Sequence, residues 1–123
     1  MEIKGICWMG VGTDSFDKTV AFFTDVLGLK VLLTEQPVAM LQAGPNQILE
    51  IFGEGSTRGK TLNTPPTIAF EVDDVTQAAK ELAVGGAQLI GEMGAWNGHA
   101  WQYFRTPDGH LFEIKSSPAA PQA

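Results

Sequence analysis

The alternation of apolar and polar positions predicts a strand, a helix and three further strands in the first half of the chain. Residues 3–12 alternate apolar and small side chains, as a strand does. Apolar residues then recur at spacings of four, three and four, which predicts a helix with one apolar stripe and an end at Gly28. Three strands are expected at residues 29–35, 37–43 and 47–53, and the helical stripe consists of Phe16, Val20, Phe23 and Leu27.

The same order of elements returns after a Gly-, Thr- and Pro-rich segment at residues 53–66. A strand at 67–73 precedes a helix at 74–86 whose first amides Asp74 can cap; a strand at 87–93, a loop at 94–98 and strands at 99–106 and 110–115 follow. The chain therefore predicts one domain, residues 1–123, with a first module at about 3–53, a linker at 54–65, a second module at about 66–116 and a tail at 117–123.

The closing strands of the two halves match each other. The sequences QILEIFG and HLFEIKS each carry a glutamate between apolar residues, and these two, Glu50 and Glu113, are 63 positions apart. Cys7 and Thr67, near the starts of the two first strands, are 60 positions apart. We therefore expect two equivalent βαβββ modules, with Glu50 and Glu113 on equivalent strands and close together.

The last hairpin, WQYFRTPDGHLFEIK, concentrates aromatic and ionisable side chains around one tight turn. Strand alternation places Trp101, Tyr103, Arg105, Leu111 and Glu113 on one face, which we interpret as the wall of a binding site. The other face, with Phe104, Phe112 and Ile114, is expected to pack under a helix.

The segment before this hairpin, GEMGAWNG at residues 91–98, is expected to be a mobile loop that orders over a bound ligand. Its Trp96 would stack on a flat ligand, or else pack permanently on the adjacent strand. His99, which follows this segment, is expected at a solvated loop end.

Composition excludes several classes of function. The net charge is −6 and the eight Lys and Arg residues form no run, which argues against nucleic acid or a membrane surface as the partner. No apolar run approaches the ~18 residues of a membrane span. Cys7 is the only cysteine, so a reducing compartment is indicated, and we expect a cytoplasmic protein.

Three stretches resemble the vicinal oxygen chelate superfamily, which includes glyoxalase I, bleomycin-resistance proteins and extradiol dioxygenases. They are FDKTVAFFTDVLGLKV, IAFEVDDV and YFRTPDGHLFEIK, and the resemblance covers about residues 3–116. It implies an α+β fold in which two βαβββ modules form a U-shaped mixed β-sheet trough with the helices on the outside. It also implies that a small molecule binds inside the trough, and that the protein is a homodimer.

Enzymes of this superfamily hold a divalent metal with one ligand from the first strand and one from the last strand of each module. The resemblance maps these positions onto Cys7, Glu50, Thr67 and Glu113. The two glutamates match the family pattern, whereas Cys and Thr stand where His or another good ligand is usual. We therefore expect no cofactor, with a divalent metal (Mg, Mn, Zn or Fe) as the alternative.

Two functions follow from the resemblance. The first is a binding protein similar to the bleomycin-resistance proteins, which would hold an aromatic or cationic ligand. The second is a metal-dependent lyase, isomerase or dioxygenase similar to glyoxalase I, in which Glu113 and Tyr103 would be catalytic. The residues expected to contact the ligand are Met9, Glu50, Phe52, Trp96, Trp101, Tyr103, Arg105 and Glu113.

Overall fold

The computed structural model describes residues 1–56 and 66–118, and in this part the fold is α+β with two βαβββ modules. The predicted linker and tail lie mostly outside the described residues. No helix in the described ranges is long and apolar enough to cross a membrane. The first module consists of β1 (Gly5–Gly12), α1 (Phe16–Ala21) continuing into a π-helical turn (Phe22–Val26), β2 (Lys30–Glu35), β3 (Val38–Gly44) and β4 (Gln47–Phe52). The second consists of β5 (Thr67–Glu71), α2 (Val75–Val84), β6 (Gln88–Trp96), β7 (His99–Arg105) and β8 (Leu111–Ser116).

The chain divides into two compact units, of which the first contains residues 7–68. Its strands lie in the order β2-β3-β4-β1, with β1 parallel to β4 and the other pairs antiparallel. The helix covers one face of this half-sheet, where Leu41, Leu49 and Ile51 are buried. The apolar residues packed against these three are Val11, Phe16, Val20, Phe23 and Leu29.

The predicted helical stripe is confirmed except at its last residue. Leu27 is 56% exposed, because the chain changes to π-helical hydrogen bonding at Phe22 and the 3.6-residue period ends there. The Leu27 amide donates to the Phe22 carbonyl, five residues back. Gly28 then takes a φ of +73°, so the predicted helix stop is correct, and Leu29 takes the inward position instead.

The second unit contains residues 1–6 and the chain from Ala69 onward. Its strands lie in the order β5-β8-β7-β6, with β5 parallel to β8 and the other pairs antiparallel. The predicted N-cap is confirmed, since the Asp74 carboxylate accepts a hydrogen bond from the Gln77 amide at 3.1 Å. The core beneath α2 consists of Val72, Val75, Ala78, Phe104 and Ile114, with Phe112 packed against it.

The prediction of a loop at residues 94–98 is wrong. β6 continues to Trp96, and the chain reverses at Asn97 and Gly98, whose φ angles of 53° and 84° are those of a tight type I′ hairpin turn. The register of β6 against β7 shifts between Ile90 and Gly94, where β6 forms a bulge. The Gln102 amide closes this bulge by donating to the carbonyls of Ile90 and Gly91, at 3.0 and 3.1 Å.

Candidate functional site

The two glutamates singled out in the sequence occupy equivalent positions in the two modules. Glu50 on β4 is the register partner of Gly10 on the parallel strand β1. Glu113 on β8 is the register partner of Ala69 on the parallel strand β5. The equivalence of these closing strands is therefore confirmed from the internal pairing of each module, while the proximity of the two carboxylates stays a prediction.

The register also identifies the first-strand residue that corresponds to Thr67. Thr67 lies two positions before Ala69, on the same face of β5. The residue two positions before Gly10 is Trp8. Trp8, and not Cys7, is therefore the counterpart of Thr67 on the glutamate face.

Cys7 and Met9 lie on the opposite face of β1 from Glu50. The register partner of Met9 is Leu49, which belongs to the core beneath the helix. Cys7 is buried and shares this face with Met9 by strand alternation. The sequence assignment of the first-strand position was wrong by one residue, and a slip of one residue turns every side chain to the other face.

Trp8 fills the position at which the family resemblance predicts a metal ligand. Its indole Nε1–H donates a hydrogen bond of 2.8 Å to Oε1 of Glu50. Trp8 is 2% exposed and Glu50 is 9% exposed, so this bond is sheltered from water. The buried ring of Phe52 lies 6.4 Å from the Trp8 ring, at an interplanar angle of 55°. The three side chains form a closed cluster in which the carboxylate is held by an indole.

These residues do not fit the divalent metal that the resemblance implies. An indole N–H is a donor only and has no lone pair for a metal, and the buried hydroxyl of Thr67 is a poor ligand. Within residues 1–56 and 66–118, no three His, Cys, Asp or Glu side chains form a group that could hold an ion. The chemical nature of the Trp8 and Thr67 side chains, rather than any distance between residues, is what disagrees with the family's metal site.

The second unit presents the aromatic side chains of the predicted site on one face. Phe104, Phe112 and Ile114 pack beneath α2 as predicted. Trp101, Tyr103 and Arg105 alternate with the α2-facing residues of β7 and therefore lie on the opposite face, which we call the helix-distal face. Glu113 is the register partner of Tyr103 on this face and is only 1% exposed.

Arg105 is tied to the turn of its own hairpin. The side chain is exposed, and its Nη1 donates a 3.0 Å hydrogen bond to the carbonyl of Gly109. The turn is closed by the Gly109 amide, which donates to the Thr106 carbonyl at 2.8 Å, as the predicted type I turn requires. A ligand that contacts Arg105 has to share it with this turn.

Sequence reasoning missed two residues of the helix-distal face, His99 and Lys115. His99 is paired with Trp96 across the hairpin, and their rings stack at 6.4 Å and 19°. Lys115 is the register partner of Trp101. Burial, and then the positive charge of Lys115, lower the pKa of His99. The Asn97-Gly98 pair is a strong hairpin signal, and placing the turn there would have put His99 on the face of Trp101.

Gly94 fixes the orientation of the Trp101 ring. A Cβ added at Gly94 would lie 2.3 Å from the Trp101 indole. The indole therefore lies directly across the β6 backbone, in space that only a glycine leaves open.

A separate open groove of about 480 Å³ lies beside the start of α1 in the first unit. Its walls carry the acidic residues Asp14, Asp17 and Glu54 together with Lys18. None of the predicted site residues lines this groove, so the groove is separate from the predicted binding site.

Comparisons with known proteins agree with this fold. The model of the Glyoxalase/Bleomycin resistance protein/Dioxygenase superfamily matches residues 5–114. Among solved structures, methylmalonyl-CoA epimerase from Streptomyces coelicolor, in complex with 2-nitronate-propionyl-CoA, is 26% identical over 96% of this chain and 100% of its own, with a TM-score of 0.75. The comparison with curated proteins gives no match.

Two further solved structures have similar folds at lower identity. Methylmalonyl-CoA epimerase from Mycobacterium tuberculosis is 21% identical over 96% of this chain and 90% of its own, with a TM-score of 0.74. Hypothetical protein BH1468 from Bacillus halodurans C-125 is 20% identical over 96% of this chain and 97% of its own, with a TM-score of 0.77. These two likenesses concern the fold alone.

Proposed function

We propose that this chain, which belongs to the Glyoxalase/Bleomycin resistance protein/Dioxygenase superfamily, is a metal-independent protein that binds a small aromatic molecule. The observation that carries the proposal is the 2.8 Å hydrogen bond between Trp8 Nε1 and the Glu50 carboxylate. Where the family's enzymes have a metal ligand, this chain has a buried hydrogen-bond donor that already binds the glutamate.

A cation at Glu50 would have to displace this indole. The bond joins a charged acceptor to a neutral donor, and such bonds contribute about 1.5–3 kcal/mol. Displacement would also expose Trp8, which is buried together with Phe52. The same burial makes Phe52 a core residue, so we no longer expect it to contact a ligand.

The aromatic residues of the helix-distal face supply the binding surface. Trp96 is 58% exposed, and Trp101 and Tyr103 are partly exposed. Flat ligands gain both apolar burial and ring stacking on such side chains. Arg105 and Glu113 are the polar groups of this unit that we propose to orient the ligand.

Metal removal is expected to leave the protein unchanged. Protein purified without chelator should contain far less than one Mg, Mn, Zn or Fe per chain by plasma mass spectrometry. Its melting temperature should not change with EDTA or with an excess of each ion, because a ligand that binds only the native state must raise that temperature. Native mass spectrometry of the same sample should instead reveal any retained small molecule.

The second candidate is a metal-dependent lyase, isomerase or dioxygenase. It is favoured by the equivalent positions of Glu50 and Glu113, and by the 26% identity to the Streptomyces coelicolor epimerase. In that function Glu113 and Tyr103 would be catalytic. One tightly held ion per chain that is lost in the Glu113→Gln variant would establish this candidate and refute metal-independent binding.

We also propose a homodimer. The π-helical turn and β2 expose several large apolar side chains in the first unit, and exposed apolar surface is typical of protein–protein interfaces. Light scattering at micromolar concentration should give twice the 13.2 kDa mass of one chain, and a single-chain mass would contradict the proposal. The exposed residues are Phe22, Val26, Leu27, Val31 and Leu32.

A further inference from the structure

Four side chains gather near the β6–β7 turn, on the helix-distal face of the second unit. Trp96 and His99 are cross-strand partners next to the turn. Two residues further along β7, Trp101 lies between its register partners, Gly94 on β6 and Lys115 on β8. The group thus combines two indoles, an imidazole and an ammonium within adjacent rows of three strands, and none of its members packs in the core beneath α2.

Two of these groups lack a polar partner in the described part of the chain. The Nδ1 atom of His99 is fully covered and has no hydrogen bond to any of residues 1–56 or 66–118. Lys115 is partly buried and forms no ion pair with a carboxylate of those residues. Covered polar atoms without partners are few in native proteins, and each indicates a function or a missing bound group.

The aromatic members provide a flat surface beside these polar groups. Trp96 stacks on His99 with an interplanar angle of 19° and is still 58% exposed, so one face of its indole is open to a ligand. Trp101 is held in place over Gly94. Lys115 is the register partner of Trp101, in the row next to that of Trp96 and His99.

We propose that Trp96, His99, Trp101 and Lys115 form a subsite for a planar aromatic carboxylate, whose ring stacks on Trp96 and whose carboxylate pairs with Lys115. This inference rests on the proposed binding function and adds to it that the ligand is an anion. A cationic ligand is disfavoured here because Lys115 would repel it, although the whole chain has a net charge of −6.

The ionisation of His99 agrees with this assignment. Burial and the charge of Lys115 lower its pKa, so the ring is neutral at pH 7 and can donate from one nitrogen. The other ionisable residues that face this side of the half-sheet are Glu71 on β5, which is the register partner of Lys115, Glu113 on β8, and Tyr103 and Arg105 on β7. Glu71 forms no ion pair with Lys115. Of these, Glu113 is buried two positions from Lys115 and Arg105 is bonded to its turn.

The test compares two probes of equal shape, 2-naphthoate and the neutral 2-naphthamide, by titration calorimetry. The wild-type protein should bind 2-naphthoate roughly 10-fold more tightly, since a charge-assisted contact contributes at least about 1.5 kcal/mol. Lys115→Gln should abolish this difference. Lys80→Gln makes the same change of charge at an exposed position on α2 and should preserve it.

A second readout locates the probe. In NMR spectra, 2-naphthoate should shift the ring signals of His99 and leave those of His110, in the exposed turn, unchanged. Trp96→Leu should weaken both probes, because it removes the stacking surface and not the charge.

Three results would overturn the inference: equal affinity for both probes in the wild type, no difference between Lys115→Gln and Lys80→Gln, or no saturable binding of either probe at about 1 mM. Saturable binding of 2-naphthamide with equal affinity would leave the proposed binding function standing and refute only the carboxylate. A stoichiometric metal in the purified protein would refute the proposed function itself.

Discussion

Replacing Trp8 with Phe should lower the free energy of unfolding by about 3 kcal/mol. The substitution removes the only polar atom of a side chain that is 2% exposed and leaves a small cavity. It also takes the indole donor from Glu50, a residue that is 9% exposed and accepts that bond at 2.8 Å. Urea denaturation followed by circular dichroism measures the difference directly.

The same substitution at Trp96 is the matched control. Trp96 is 58% exposed, so Trp96→Phe should change stability by less than about 0.5 kcal/mol. Removing both partners, in Trp8→Phe with Glu50→Leu, should restore part of the loss, because no charge is then left without its donor. An effect of Trp8→Phe as small as that of Trp96→Phe would show that the bond does not hold Glu50.

Replacing Gly94 with Ala should destabilise the protein by about 2 kcal/mol, which is within the usual cost of overpacking. The new methyl group would lie 2.3 Å from the Trp101 indole, so the indole has to leave its position over β6. The φ angle of Gly94 is not among the positive ones, so steric overlap and not backbone strain causes the loss. Thermal and urea denaturation should agree on it.

The cause can be tested in a Trp101→Ala background. Without the indole, Gly94→Ala no longer meets its three closest neighbouring atoms, and its effect should vanish or become slightly stabilising through the lower entropy of the unfolded chain. Equal costs of Gly94→Ala in both backgrounds would contradict the close contact described above. The double-mutant cycle thus isolates one pair of residues.

Most elements of the fold could be predicted because their apolar periods are regular. The helix stripe from Phe16 to Phe23 and the α2 cap at Asp74 are local signals, and local signals agree here with the tertiary packing. Leu27 was misplaced because no sequence pattern announces the change to π-helical hydrogen bonding at Phe22. That change depends on how the helix end packs and not on its residues alone.

The register of β1 could not be read from its sequence. Cys7, Trp8 and Met9 are all apolar or nearly so, so alternation does not distinguish the two faces there. The correct face appears only when Gly10 is paired with Glu50. For the same reason the sequence alone did not predict the hydrogen bond from Trp8 to Glu50, which argues against a metal ion at this position.

The second-unit site was predicted in part. Alternation along the last hairpin gave the faces of Trp101, Tyr103 and Phe104 correctly. His99 was missed because the glycines around Trp96 were interpreted as a loop, whereas they serve a bulge and a two-residue turn. Lys115 was missed although alternation along β8 places it on the face of Glu113. A bulge shifts the register between two strands, and the sequence of one strand alone does not reveal how it pairs with the other.

The bulge held by Gln102 has a further consequence for how the protein behaves at high concentration. β6 is the edge strand of the second unit, and an edge strand offers unpaired amides and carbonyls to the strands of other molecules. The bulge between Ile90 and Gly94 interrupts that row, and the side chain of Gln102 already occupies the carbonyls of Ile90 and Gly91. The bulge therefore works against sheet extension into fibrils along β6, and the amide of Gln102 that shapes the hairpin also holds this bulge in place.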